Sequence, residues 1–334
     1  MLRERSEMKK KVVTRMIVTL LILSMLPFSF SVEPVKAEPK TIHVPIDCST
    51  IQEAIDAASP GDTIYVYSGI YYENVIVNKA VSLIGENRSF TIVDGSEAGN
   101  VFSITRDNVS IRGFTIKNSG FLNTGIHLDD ANDCNITEND ITDNYYGFWL
   151  DSSSNNTITG NNIKENNWEG IRLYYSLNNS ITGNNITANN GFGIYLYYSS
   201  NNSITGNSIK ANNGCGIYLY YCSNNSITGN NIKANNGFGI RLEHSSNNNI
   251  YHNNFVNNAR PPISTLNSTN VWDDGYPSGG NYWSDYEKRY PSAKELYGSG
   301  IWDTPYVIDE NNQDNYPLME PWTHPRMRST RYPW

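Results

Sequence analysis

Asp129 and Asp151 stand 22 residues apart in a chain whose apolar residues recur at almost that interval. Stacked one coil above another, their carboxyls fall close to the ~5 Å separation of a retaining glycosidase pair. Like charges so placed would push one pKa up, leaving an acid beside a base. Glu243 and Asp130 are further catalytic candidates. The same interval aligns His127, Trp149, Arg172, Tyr195, Tyr218 and Arg241 in one column, and Asp129, Asp151, Tyr174, Tyr197, Tyr220 and Glu243 in a second. On one sheet face these columns form a strip whose ligand-binding candidates are Trp149, Arg172, Tyr174, Tyr195, Tyr197, Tyr218, Tyr220 and Arg241. Such a strip suits saccharides, because sugar C–H faces stack on aromatic rings while Arg and Asp hydrogen-bond the hydroxyls. The competing explanation is that tyrosine is simply a good exposed strand residue whose rings stack along the ladder. Large exposed aromatic patches, however, usually mark a partner.

These residues need a repeating scaffold. Gly125, Gly147, Gly170, Gly193, Gly216 and Gly239 are spaced by 22 and then 23 residues, each followed by Ile or Phe at +1 and Leu at +3. Further columns are Ile136, Ile158, Ile181, Ile204, Ile227 and Ile250, and Asn139, Asn161, Asn184, Asn207, Asn230 and Asn253. Alternating apolar residues between Asn, Gly and Ser clusters are the period-2 signature of short strands joined by turns. Stacked one unit per turn, they predict an all-β, right-handed parallel β-helix with an inward Ile/Leu core and coils ~4.8 Å apart. Asn suits the corners by tolerating left-handed backbone and bonding along the ladder. Both ends need caps. Ser49 with Gln52 three residues later reads as a capping box opening a short helix that lids the N-terminal end. The expected organisation is a leader at 1–37, an N-terminal cap with irregular first coils at 38–100, repeats at 101–258 and an irregular, aromatic-rich C-terminal cap at 259–334.

The leader has six basic residues before Met16, an apolar run from Met16 to Phe30, and Val35-Lys36-Ala37 as a signal-peptidase site. It is read as a secretory signal peptide, with an uncleaved membrane anchor as the alternative. Without its seven basic and three acidic residues, the chain's 25 basic and 33 acidic residues become 18 and 30, net −12. That excludes nucleic acid as the main partner. Cys215 and Cys222 are too far apart along an extended strand to form a disulfide. No C-x-x-C spacing indicates zinc, and the histidines are scattered, so no metal ligands are assigned.

The stretch from Thr50 to Ile55, then Pro60-Gly61-Asp62-Thr63-Ile64, Gly69-Ile70-Tyr71-Tyr72-Glu73 and Leu83-Ile84-Gly85, resembles the opening of pectin-lyase-like β-helix proteins. With the Asn-Gly-Ile-x-Leu repeats and the tail elements Gly279 to Tyr286, Asp303 to Tyr306 and Asp314 to Leu318, the chain most resembles NosD-like β-helix proteins of the carbohydrate-binding and sugar-hydrolysis class. The resemblance implies a secreted or cell-surface protein that binds polysaccharide or surface glycan. Alternatives are a polysaccharide hydrolase or lyase on the same strip, and a periplasmic copper-binding maturation factor. Where that family often carries an Asp-rich, calcium-suggestive loop, this chain reads Tyr297-Gly298-Ser299-Gly300-Ile301-Trp302, without acids, which leaves Asp273, Asp274 and Asp285 as the calcium candidates, with turn formation as their alternative role. The Asp-Asp, His-Gly and Arg-x-Lys elements of polygalacturonases are also missing. Sequons occur at Asn87, Asn108, Asn135, Asn155, Asn178, Asn185, Asn201, Asn224 and Asn267, several spelled by the repeat itself.

Overall fold

The computed structural model describes residues 2–24 and 38–323. Two units are distinct, Met1–Glu38 and Pro39–Trp334. In the first, Leu2–Ser24 is a helix. No described helix is long and apolar enough to cross a membrane. The expected cleavage site Val35-Lys36-Ala37 and the segment 324–334 lie outside the described residues.

The second unit is a parallel β-helix. Three strands per coil build sheets of ten, nine and ten parallel strands, stacked in chain order. One coil is Ser180–Thr182, Asn185–Thr187 and Ile194–Tyr197. Columns read from the repeat pair in register, Ile181 on Ile204 in one sheet and Leu173 on Leu196 in another. Their side chains are fully buried. The glycine column has a steric cause. A Cβ on Gly170 would lie 2.8 Å from the carbonyl oxygen of Gly193 and 2.8 Å from Ile186 Cγ2.

Three asparagine ladders hold the corners, where one was foreseen. Beside the expected Asn139 column run Asn144, Asn166, Asn189, Asn212 and Asn235, and Asn156, Asn179, Asn202, Asn225 and Asn248, all buried. Asn207 shows the pattern. Its Oδ1 accepts from the backbone N of Asn184 at 2.9 Å and Nδ2 of Asn184 at 3.1 Å. Its own Nδ2 donates to the Ile181 carbonyl at 2.8 Å and to Asn230 Oδ1 at 3.0 Å. The ladder residues are not in the left-handed region. That conformation belongs to the residue before them, among others Asn155, Asn178, Gly183, Ala188 and Gly206. The turn thereby directs each ladder amide inward, where corner backbone groups would otherwise go unpaired.

A serine ladder runs beside the third, through Ser153, Ser176, Ser199, Ser245 and Ser268. Cys222 takes a serine's place in it: Ser199 N donates to its Sγ, which donates to the Tyr220 carbonyl. None of the four cysteines is disulfide-bonded.

Thr41–Val44 adds a first rung on Thr63–Val66, and the helix Ile51–Ala57 buries Ile51, Ala54 and Ile55. Its N-cap is Thr50, not Ser49. Thr50 Oγ1 accepts from Glu53 N, and Glu53 accepts from Ser49 N, so the capping box starts one residue later than read. The Glu73 carboxylate takes the N–H groups of Ile51 and Gln52 at 3.0 Å each. At the other end, Ile263–Leu266 and Tyr282–Trp283 extend two sheets beyond residue 258. Phe255, Trp283 and Tyr306 then continue the core as a ring stack. Asn281 carries the first ladder to Asp314, which accepts from Asn281 N, Trp283 Nε1 and Tyr316 N. Gly280 is required there, since a Cβ would lie 1.9 Å from Asp314 Oδ1.

Replacing Asn207 by Leu orphans the Asn184 N–H and the Ile181 carbonyl in the interior. Denaturant unfolding should show a loss of about 2–5 kcal/mol, whereas Asn201→Gly, at an exposed left-handed corner, should change stability by less than about 1 kcal/mol.

Candidate functional site

The outer face of the nine-stranded sheet carries the strip. Register places His127, Trp149, Arg172, Tyr195, Tyr218 and Arg241 side by side, and beside them Asp129, Asp151, Tyr174, Tyr197, Tyr220 and Glu243. Inward neighbours such as Leu173 and Leu196 are buried while the strip residues are partly or fully exposed, as strand alternation requires.

The rings stack along the helix axis. Tyr174 and Tyr197 have centroids 4.9 Å apart at 6°, Tyr197 and Tyr220 5.5 Å at 13°, and Tyr195 and Tyr218 5.1 Å at 20°. A third row, absent from the sequence reading, is Tyr175, Tyr198, Tyr221 and His244, with separations of 5.3, 4.8 and 4.6 Å. These four have positive φ, which costs an L-residue roughly 1–2 kcal/mol. Strand alternation does not cover a corner, so only the recurring Tyr-Tyr doublets signalled this row. Faces within each stack are turned to one another. The rows therefore present mainly ring edges and hydroxyls, a different offer from the open aromatic faces the sequence suggested.

The two arginines of the first column differ. Arg241 Nε donates to Glu243 Oε1 at 2.8 Å, its Nη2 donates to the same oxygen, and Tyr218 donates to Oε2 at 2.9 Å. Burial opposes the charge on Glu243, but these hydrogen bonds outweigh it and hold the carboxyl below its ordinary range. Arg172 instead lies 4.6 Å over Trp149, with Tyr146 and Tyr195 at 5.5 and 5.6 Å. Nearby is Glu169, a second residue the sequence reading missed. Its place in the repeat is filled elsewhere by Thr124, Tyr146, Phe192, Cys215 and Phe238, so it lies buried in an otherwise largely apolar row. Burial pushes its pKa up to about 7, against the opposing pull of Arg172.

Of the catalytic candidates, Asp129 and Asp151 are paired in register on adjacent coils. Glu243 lies at the far end of the same column, beyond Tyr174, Tyr197 and Tyr220. Asp130 occupies a left-handed corner. In the C-terminal cap, Asp273 accepts from Gly275 N and Asn315 N, Asp274 from Ser278, and Asp285 from Tyr306.

A family model described as periplasmic copper-binding protein (NosD) matches residues 55–288. The chain belongs to the NosD family. A cell surface glycoprotein of the archaeon Methanothermus fervidus is 32% identical to this NosD chain over 133 residues, covering 39% of the chain but only 22% of the relative. Among solved structures, the A-module of a mannuronan C-5 epimerase from Azotobacter vinelandii superposes with a TM-score of 0.53 at 20% identity, covering 70% of the chain and 85% of the module. ORF18 of Geobacillus virus E2 superposes at 0.55 with 15% identity, covering 68% and 58%. At such identities these structures share the fold alone. The NosD description implies copper, and the described residues do not fit it. Among them no group of three or more His, Cys, Asp or Glu could hold a metal ion. Cys134, Cys215 and Cys222 are buried with thiol pKa values raised by desolvation, opposite to what a thiolate ligand needs.

Glu169 gives a testable pH dependence. Its folded form holds a proton more tightly than the unfolded chain, so its stabilising contribution is full below pH 4.5 and is lost as pH rises towards about 7. Denaturant unfolding across that window should show the wild type losing stability relative to Glu169→Gln.

Proposed function

We propose that this NosD-family chain is a surface β-helix protein that engages polysaccharide or cell-surface glycan through the outward strip. The observation that supports it is the strip's continuity: eight aromatic or basic residues from Trp149 to Arg241 share one face and one register. Two of the three stacked rows are half-buried and the third, Tyr175, Tyr198 and Tyr221, is exposed at a cost in backbone conformation. A glycan would meet rows of phenolic hydroxyls spaced at the coil repeat, flanked by Arg172 and the acids Asp129 and Asp151. The cell surface glycoprotein relative and the mannuronan on which the structurally similar epimerase acts agree with this reading. Asn155, Asn178, Asn201 and Asn224 stand exposed in one corner row, suitably placed for glycan attachment to an exported chain. A glycan array tests binding. Trp149→Ala and Tyr197→Ala should each weaken a bound glycan about tenfold, the scale of one aromatic contact. An array with no hits would end the proposal.

A second reading is a carbohydrate-active enzyme on the same strip, favoured by the adjacent Asp129 and Asp151. If a polysaccharide-degradation screen yields product, Asp151→Asn should reduce turnover at least about a hundredfold, as general acid–base catalysis implies. Undiminished turnover would remove this pair from the chemistry.

A further inference from the structure

Among the described residues, the strip holds one place where buried polar atoms lack partners. His127 Nε2, Trp149 Nε1 and Arg172 Nε, on three successive coils of one column, are shielded from solvent without a hydrogen-bond partner. Buried donors are normally satisfied, so three together call for an explanation. The tautomer of His127 follows from its surroundings. Asn100 Oδ1 accepts from Thr124 N at 2.8 Å and Thr124 Oγ1 at 3.0 Å, which turns Asn100 Nδ2 towards Ser103 Oγ and, at 3.4 Å, His127 Nδ1. Nδ1 is therefore an acceptor. Burial keeps the ring's pKa below its ordinary value despite Asp129 and Asp151, so the neutral ring carries its proton on Nε2. All three orphaned atoms are then N–H donors.

Arg172 adds a charge that forms no salt bridge among the described residues. Arg241, in the same column, has Glu243 two residues on; the equivalent position after Arg172 is Tyr174. Apart from one long bond from Nη1 to Tyr146 Oη at 3.4 Å, the guanidinium rests on aromatic faces, and among the described residues no carboxylate forms an ion pair with it. Glu169, the carboxyl beside Arg172, is not ion-paired with it and is held towards its protonated form by burial, so three donors and a cation with no paired carboxylate are complementary to an oxyanion.

We propose that His127, Trp149 and Arg172 form a subsite for the oxyanion of an acidic saccharide, a uronate carboxylate or a sulfate ester. The proposal rests on the glycan-binding reading and names its ligand class. Pairing with the oxyanion draws the guanidinium off the indole face, opening the column for the His127 and Trp149 N–H groups to complete the oxyanion's shell. Trp149 then offers the open ring face that the stacked tyrosines lack. Glu169 Oε2, also buried and unpartnered beside Arg172, is left to bond a hydroxyl of the same sugar.

The test is calorimetric titration of the full chain with size-matched neutral, carboxylated and sulfated oligosaccharides. At least one acidic series should bind about tenfold tighter than the neutral one, the scale of a charge-assisted hydrogen bond. Arg172→Gln should abolish that preference and Arg172→Lys retain part of it. Lys233→Gln, which removes a charge from a different sheet, should leave it intact. Thermal melts establish that each variant is folded. Preference for one acidic series identifies the oxyanion. Equal binding of neutral and acidic sugars, or a preference unchanged in folded Arg172→Gln, overturns the subsite while leaving glycan binding in place. No binding of any saccharide overturns both.

Discussion

A chain that turns three corners per coil leaves backbone N–H and C=O groups inside every corner, beyond the reach of water or sheet partners. The asparagine ladders answer that constraint, and the rest of the molecule follows from it. An amide side chain has a donor and an acceptor on one short stem, so a single residue serves a carbonyl of the preceding coil and an N–H of its own stack. Because Asn207 bonds only at the correct height above Asn184 and below Asn230, the ladder fixes register as firmly as the Ile and Leu columns do. Half-satisfied, such a buried network would be a liability; complete, it specifies a single stacking.

That rigidity sets the geometry of the outer face. Ring separations of 4.6 to 5.5 Å in the tyrosine rows are the coil spacing expressed in side chains. The strip needs no rearrangement to keep its hydroxyls in line. Arg172 interacts with ring faces and one long hydrogen bond, whereas Arg241 is fixed by Glu243. One column thus contains an arginine held by a carboxylate and one held by rings, a difference of partner and not of backbone.

Most of the fold was legible because a 23-residue period fixes side-chain direction at every strand position. What escaped lies where that logic lapses. Asn166, Asn189, Asn212 and Asn235 are each followed by a second Asn, so composition alone does not tell the inward member of the pair from the exposed one. Tyr175, Tyr198 and Tyr221 follow strands and enter the left-handed region, where alternation gives no direction. Glu169 was hidden by standing in a largely apolar row. Thr50 and Ser49 are equally good caps by chemistry, and only the position of Glu53 chooses between them. The strip itself was readable residue by residue, but the pairing of ring with ring, and the contrast between Arg172 and Arg241, depends on side-chain geometry that no spacing encodes.

The first ladder runs one way. Each rung donates to the next, from Asn139 through Asn281, and the last acceptor is Asp314, whose oxygens take N–H donors and pass none to a further rung. A terminus of that kind is indifferent to how many rungs precede it. The segments beginning at Gly191 and Gly214 differ at only three of 23 positions, so a coil can be duplicated or lost between the two caps without altering either. Such a molecule has an adjustable length: adding a coil lengthens the outer face by one increment without redesigning a single contact.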